Sequence, residues 1–355
     1  MSKAKQLSLL LPDEVDGALI TSSHNRRYIT GFPSSAGTVL ITRQQSYFLT
    51  DFRYFEAAQR VITDIKCVEY KKRSDTLREL FKTHKISRLA VEDDDLSCAE
   101  FKRLGAELKG VELCGGILDG LLKNLRLVKS PEELKRIEQA QQLTDHGFEY
   151  ILPRIKVGRT EREIALELEF EMRRQGADAV AFDFIVVSGA NSALPHGAPS
   201  NKSIEQGDLV TMDFGGVVDG WCSDMTRTVA VGSCSDEQRR VYDTVLKAQA
   251  ASLAVLRAGL PCIEGDGAAR SVIDSAGYCG CFGHGTGHGV GIEIHEAPRM
   301  SPMSGDEVLR EGSVVTVEPG IYLSGRFGVR IEDMVFITKD GCRDLTKSSK
   351  ELIVL

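Results

Sequence analysis

Apolar positions in the first third of the chain fall into short runs separated by stretches with helical spacing. Gly17 to Thr21, Thr38 to Thr42, Ser46 to Thr50 and Arg88 to Val91 read as strands, while Tyr54 to Val61, Ser74 to Thr83 and Ser97 to Leu108 read as helices. Such alternation predicts an α/β domain. Around residues 115 to 127 the pattern dissolves into Gly115-Gly116 and a short basic stretch. Ser130-Pro131-Glu132-Glu133 then opens a new helix, with Ser130 as cap, Pro131 at the first helical position and Glu133 completing the capping box. The boundary is placed just ahead of it, giving domains over residues 1–126 and 127–355.

From Ser130 onward the order of elements repeats. A long helix over about 131 to 152 leads to a second opened by Gly158-Arg159-Thr160-Glu161-Arg162-Glu163 and ended at Gly176; strands follow from Phe182 to Val187 and from Leu209 to Val231. The second pass has a helix capped by Ser235 and running to about Arg257, and a shorter one after Gly259-Leu260-Pro261 that ends at Gly277. Its strands are Gly289 to Ile294, Ser313 to Val317 and Gly328 to Ile337. A repeated helix-helix-strand-strand unit predicts a pseudo-twofold α+β domain with a curved sheet between helix pairs.

Composition narrows the function classes. With 355 residues, 42% of them hydrophobic, the chain can bury the cores of two domains. A formal charge of −7 and no basic block longer than Lys71-Lys72-Arg73 argue against nucleic acid as a partner. The apolar run Leu7 to Leu11 is too short for a signal-peptide core and no segment reaches a membrane span, so a cytoplasmic location is expected. The nine cysteines are odd in number and scattered, which fits reduced thiols; Cys279 and Cys281 near His284 lack a second pair at zinc-finger spacing.

Candidate chemistry sits on the strands of the repeated unit. Asp213 in Val210-Thr211-Met212-Asp213 and Asp224 in Trp221-Cys222-Ser223-Asp224 flank Asp219-Gly220, a hairpin signal. With those two as loop residues, position 213 faces 226, and Asp224 becomes a diagonal neighbour on the same sheet face. In the second half Glu318 ends an apolar strand, Glu332 follows in Val329-Arg330-Ile331-Glu332, and His288 adds a nitrogen. Any one of these acids alone reads as a solvated turn or a cap. Together, four carboxylates balance two divalent cations, and an oxygen-rich set with one imidazole suits manganese, cobalt, iron or zinc. Arg330, two residues before Glu332, reads as a partner to a ligand carboxylate or as a surface charge. For His196, His284 and His295 the residues alone leave open a ring reaching into a cleft or an ordinary loop position; His24, His84 and His146 read as structural or surface residues.

The series His196, Asp213, Asp224, Gly283-His284-Gly285-Thr286-Gly287-His288-Gly289, His295-Glu296, Glu318-Pro319-Gly320 and Arg330-Ile331-Glu332 resembles the pita-bread metallopeptidases, in the Xaa-Pro aminopeptidase and prolidase branch. The first third resembles the creatinase-type N-terminal domain, including Thr50-Asp51-Phe52-Arg53-Tyr54, although that family usually carries a small residue where Phe52 stands. The resemblance implies an α/β N-terminal domain followed by an α+β pita-bread catalytic domain. It implies that Asp213 binds the second of two metal ions, most commonly Mn2+, that Asp224 and Glu332 bridge, and that His288 and Glu318 bind the first. A hydroxide held between the metals is then the nucleophile. Glu318 shuttles the proton, His295 and His196 bond the scissile carbonyl, His284 lines the leaving-group side and Arg330 supports a ligand. The implied activity is hydrolysis of the Xaa-Pro bond at peptide N-termini, with a prolidase restricted to dipeptides as the alternative, in a homodimer. Methionine aminopeptidases usually lack the preceding domain, while creatinase and the non-catalytic pita-bread modules lack metal ligands that this chain retains.

Overall fold

The computed structural model describes residues 1–355 and divides into two units, Met1–Arg126 and Leu127–Leu355. In the first unit β1 (Gly17–Ile20), β2 (Thr38–Thr42), β3 (Ser46–Thr50), β4 (Lys66–Glu69), β5 (Arg88–Val91) and β6 (Glu112–Cys114) form one sheet in the order β4-β3-β2-β1-β5-β6. Pairs β1–β2 and β2–β3 are antiparallel and the rest parallel. The helices are α1 (Lys3–Leu10), α2 (Ser23–Thr30), α3 (Phe52–Val61), α4 (Arg73–His84), α5 (Cys98–Glu107) and α6 (Leu118–Leu127). Leu19, Leu40, Leu49 and Val91 from the sheet pack with Leu77 and Phe81 of α4. Strands β4 and β6 escape the hydrophobic pattern because they are half-exposed edge strands.

The second unit contains two helix pairs, α7 (Pro131–Ile151) with α8 (Glu161–Arg174) and α9 (Asp236–Val255) with α10 (Cys262–Ile273). Reciprocal capping boxes open three of them, at Ser130–Glu133, Thr160–Glu163 and Ser235–Gln238. After the first pair come β7 (Ala179–Val180), β8 (Ile185–Ser188), β9 (Leu209–Phe214), β10 (Gly216–Val218), β11 (Trp221–Cys222) and β12 (Met225–Ala230). After the second come β13 (Gly287–Gly289), β14 (Glu296–Met300), β15 (Val314–Val317), β16 (Gly320–Leu323), β17 (Phe327–Arg330), β18 (Asp333–Ile337) and β19 (Cys342–Asp344). They pair as β11-β10-β7, β12-β9-β8, β14-β13-β15-β18-β19 and β16-β17. The Asp219-Gly220 turn has positive φ at both residues, as a type I′ hairpin requires, and its register puts Asp213 opposite Thr226.

Two expectations about strands fail, and both failures shape the site. Gly289 to Ile294 is not a strand: β13 stops at Gly289 and the chain loops before resuming at Glu296. A Cβ at Gly287 would stand 2.0 Å from the Thr316 carbonyl oxygen, and one at Gly289 would stand 2.1 Å from that of Ala297, so only glycine permits this approach. The loop's Ile292 and Glu293 amides donate to the Glu296 carboxylate instead of a ladder. Gly328 to Ile337 is likewise two strands. β17 pairs with β16 while β18 pairs with β15, leaving Ile331 and Glu332 in a break between sheets. The first half does the same at Ser223 and Asp224, between β11 and β12. No helix is long and apolar enough to cross a membrane.

Candidate metal centre and substrate cavity

Strands and the breaks between them bring together the acids that the sequence singles out. Asp213 lies on β9, Asp224 in the break before β12, Glu318 directly after β15, Glu332 in the break before β18, and His288 at the middle of β13. Asp224 is 4% exposed and Glu332 1%. Ligating atoms of Asp224, His288 and Glu332 lie within 4.8 Å of one another. Nε2 of His288 is 3.5 Å from Asp224 Oδ2 and 3.4 Å from Glu318 Oε1. Asp213 joins through Arg330, whose Nη2 donates to its Oδ2 at 2.6 Å.

Burial sets the electrostatics of this group. Desolvation, reinforced by the charge of neighbouring acids, holds the Asp224 and Glu332 carboxyls well above the usual carboxylate range. Glu318 is pushed up to about 8, first by burial and then by Asp213, against the opposing pull of Arg330. His288 is pushed down to about 4, by burial first and by His295 next. Its Nδ1 donates to the Gly289 carbonyl at 3.0 Å, which leaves the lone pair on Nε2, beside the two acids. Oδ1 of Asp213 and Oδ1 of Asp224 are buried with no hydrogen-bond partner. Four carboxylates thus face one guanidinium, with two orphaned oxygens and a neutral imidazole. That donor set fits divalent cations, which neutralise the charge and take up the oxygens. Cys281 packs against the apolar core of Val241 and Val329 and is outside this group.

Around the acids runs a network that sequence spacing discloses only in part. Thr226 Oγ1 donates to Glu332 Oε2 at 2.7 Å and accepts from Arg330 Nε at 3.0 Å. Arg330 Nη1 donates to the Tyr322 hydroxyl (2.9 Å) and to the Pro195 carbonyl (3.1 Å), beside His196. His284 Nδ1 donates to the Gly285 carbonyl, so its Nε2 accepts from the Tyr322 hydroxyl at 2.8 Å. Burial, then Arg330, hold His284 neutral, down at about 4. Thr226 is detectable in the sequence as the residue opposite Asp213; Tyr322 has no sequence signal.

A cavity of about 710 Å³ opens over the acids. His196, His284 and His295 line it, together with the apolar Phe182, Phe184 and Ile294 and the guanidinium of Arg299. The His295 ring lies 4.4 Å from that of His288, centroid to centroid. The Arg299 side chain makes no hydrogen bond or ion pair; its backbone amide donates to Glu307 and its carbonyl accepts from Ser304. Removing the Tyr322 hydroxyl unpairs Nε2 of His284 and leaves Nη1 of Arg330 with the Pro195 carbonyl alone. Tyr322→Phe should therefore lower kcat/KM about tenfold, the size of one or two lost hydrogen bonds, while metal content measured by atomic absorption stays at the wild-type level.

The sequence matches the metallopeptidase family M24 over residues 135–339 and the creatinase/prolidase N-terminal domain over residues 6–128. Among solved structures, an Xaa-Pro dipeptidase from Bacillus anthracis superposes with a TM-score of 0.96 at 43% identity, covering 99% of each chain. An X-Pro aminopeptidase from Thermotoga maritima MSB8 gives 0.93 at 38% identity over 99% of this chain and 100% of its own. The Xaa-Pro dipeptidase of Pyrococcus horikoshii is 37% identical over 351 residues, 98% of this chain and 97% of that one.

Proposed function

The chain belongs to metallopeptidase family M24, with a creatinase/prolidase N-terminal domain ahead of the catalytic part, and from that premise we propose that it is an Xaa-Pro dipeptidase. The observation that carries the proposal is Arg299. Arg330 in the same cavity is paired with Asp213, whereas the Arg299 guanidinium is unpaired. In a dipeptide the free carboxylate lies one residue beyond the scissile bond, and a guanidinium at the cavity wall matches it. The names of the relatives favour the same reading over an aminopeptidase acting on longer peptides.

In this proposal Asp213, Asp224, His288, Glu318 and Glu332 hold two divalent ions, Mn2+ being the expected native ion. Bound there, the ions activate the attacking water and polarise the scissile carbonyl. Glu318 takes the proton and delivers it to the leaving proline nitrogen. His295, with its proton affinity lowered by burial and by Arg299, and His196 donate hydrogen bonds to the carbonyl oxygen as charge develops on it. Phe182, Phe184 and Ile294 receive apolar substrate surface and exclude water. A homodimer belongs to the same proposal.

Peptide assays test it. Ala-Pro should exceed Ala-Pro-Ala in kcat/KM by about tenfold or more, and Ala-Ala by roughly ten- to two-hundredfold, the discrimination available to a shaped apolar pocket. Arg299→Met should erase the first ratio by raising KM for the dipeptide. Equal rates on Ala-Pro and Ala-Pro-Ala would establish the aminopeptidase reading, and equal rates on alanine and proline peptides a broader aminopeptidase.

A further inference from the structure

Glu332 lies in a gap between sheets, so no ladder holds its backbone. Its amide donates to the Thr226 carbonyl at 3.1 Å, and its carbonyl accepts from Nη1 of Arg227. Arg227 is 1% exposed and every nitrogen of its guanidinium is used. Nη1 also donates to the Thr226 carbonyl at 2.9 Å, Nη2 to Asp333 Oδ1 at 2.7 Å and to the Ser348 carbonyl at 2.8 Å, and Nε to the Ser349 carbonyl at 2.9 Å. The far oxygen of Asp333 accepts from Gln249 and from Lys350 Nζ, both at 2.6 Å. The segment supplying those carbonyls is itself tied down. Ser348 donates to Asp145 on α7, and the backbone of Ile353 and Leu355 pairs with Ala230 at the end of β12.

We propose that Arg227 is a positioning residue for Glu332: its fork, braced by the 348–350 segment and Asp333, fixes the backbone of a carboxylate that no strand pairing holds. The inference rests on Glu332 serving as a metal ligand. A point charge in place of the fork still neutralises Asp333, but it cannot reach the carbonyls of Glu332, Ser348 and Ser349 together. Positioning partners outside the ligand set typically contribute ten- to a hundredfold in metal affinity.

The test is titration calorimetry of Mn2+ into chelator-treated protein without substrate, with far-UV circular dichroism as the check on folding. Arg227→Lys should remain folded, bind Mn2+ about ten- to a hundredfold more weakly, and regain activity as Mn2+ is raised. Wild-type affinity in the folded variant overturns the proposal. If Arg227→Lys does not fold, Lys350→Met decides: it loosens the brace and leaves the fork intact, so a severalfold weaker affinity supports the proposal and an unchanged one overturns it. A wild-type protein that binds no Mn2+ overturns the metal-centre reading itself, an outcome distinct from variants that bind as tightly as wild type.

Discussion

Glu318→Gln yields a folded, metal-binding protein whose kcat is lower by about a hundred- to ten-thousandfold. The amide retains an oxygen for a cation but cannot accept and return a proton, and a positioned general acid–base group contributes about that much. The site is built for such a group. Glu318 lines the cavity beside the other proposed ligands, where its carboxylate can take a proton and surrender it to a leaving nitrogen. Thr316 Oγ1 donates to Glu318 Oε1 at 3.3 Å and keeps the carboxylate in place, a contact that does not need the charge the substitution removes. Steady-state kinetics on Ala-Pro, alongside metal content by atomic absorption, provide the check. A variant within a few-fold of wild type with full metal content assigns the proton to another group.

Metal-free protein should lose all hydrolytic activity and also become less stable as the pH rises from 6.5 to 8. The sign follows from which state holds protons. Glu318 keeps its proton up to about 8 when folded, against an ordinary value of 4.5 for an unfolded chain, and Asp224 and Glu332 are shifted in the same direction. The stabilisation is complete below the unfolded value and is lost as pH climbs through the folded one. His284 and His288 act oppositely. Brought down to about 4 from 6.5, they favour the folded state at high pH and penalise it as pH falls through that window. Above 6.5 their unfolded-state titration tails off, and the carboxylates set the sign of the slope. A single such group costs about 2 kcal/mol over this interval, or roughly 4–8 °C in Tm for a unit of this size. Mn2+ compensates the carboxylates directly, so its stabilising effect should be larger at pH 8 than at 6.5. Thermal unfolding at the two pH values, with and without Mn2+, measures this; a metal-free Tm that does not fall would contradict the charge assignment.

Local chemistry makes part of this site legible in the chain. The Asp219-Gly220 turn sets the Asp213–Thr226 register, and the Ser130 and Ser235 capping boxes mark where the repeated halves begin. Hidden features depend on partners far along the chain. Periodicity reports that Gly328 to Ile337 is apolar and alternating, but not that its two ends join different sheets, because that choice is made by β15 and β16. Tyr322 and Arg227 look like ordinary strand residues until the fold supplies His284 to one and the Ser348 and Ser349 carbonyls to the other. Short polar helices such as α2 lack an apolar stripe long enough to stand out; α2 is marked by its ends, the Ser22 cap and a left-handed Gly31.

The division of the acids between the two halves of the repeat has a consequence for the order of events in the life of the molecule. Asp213 and Asp224 belong to one half of the repeat and His288, Glu318 and Glu332 to the other, and Thr226 is 106 positions from the Glu332 carboxylate it binds. A nascent chain halted before the second break therefore carries an incomplete ligand set, however much of the first half has already collapsed. Closing so long a loop must precede tight capture of an ion. On the proposed ligand set, tight binding of an ion therefore follows closure of the fold, and the bound ion then retards unfolding.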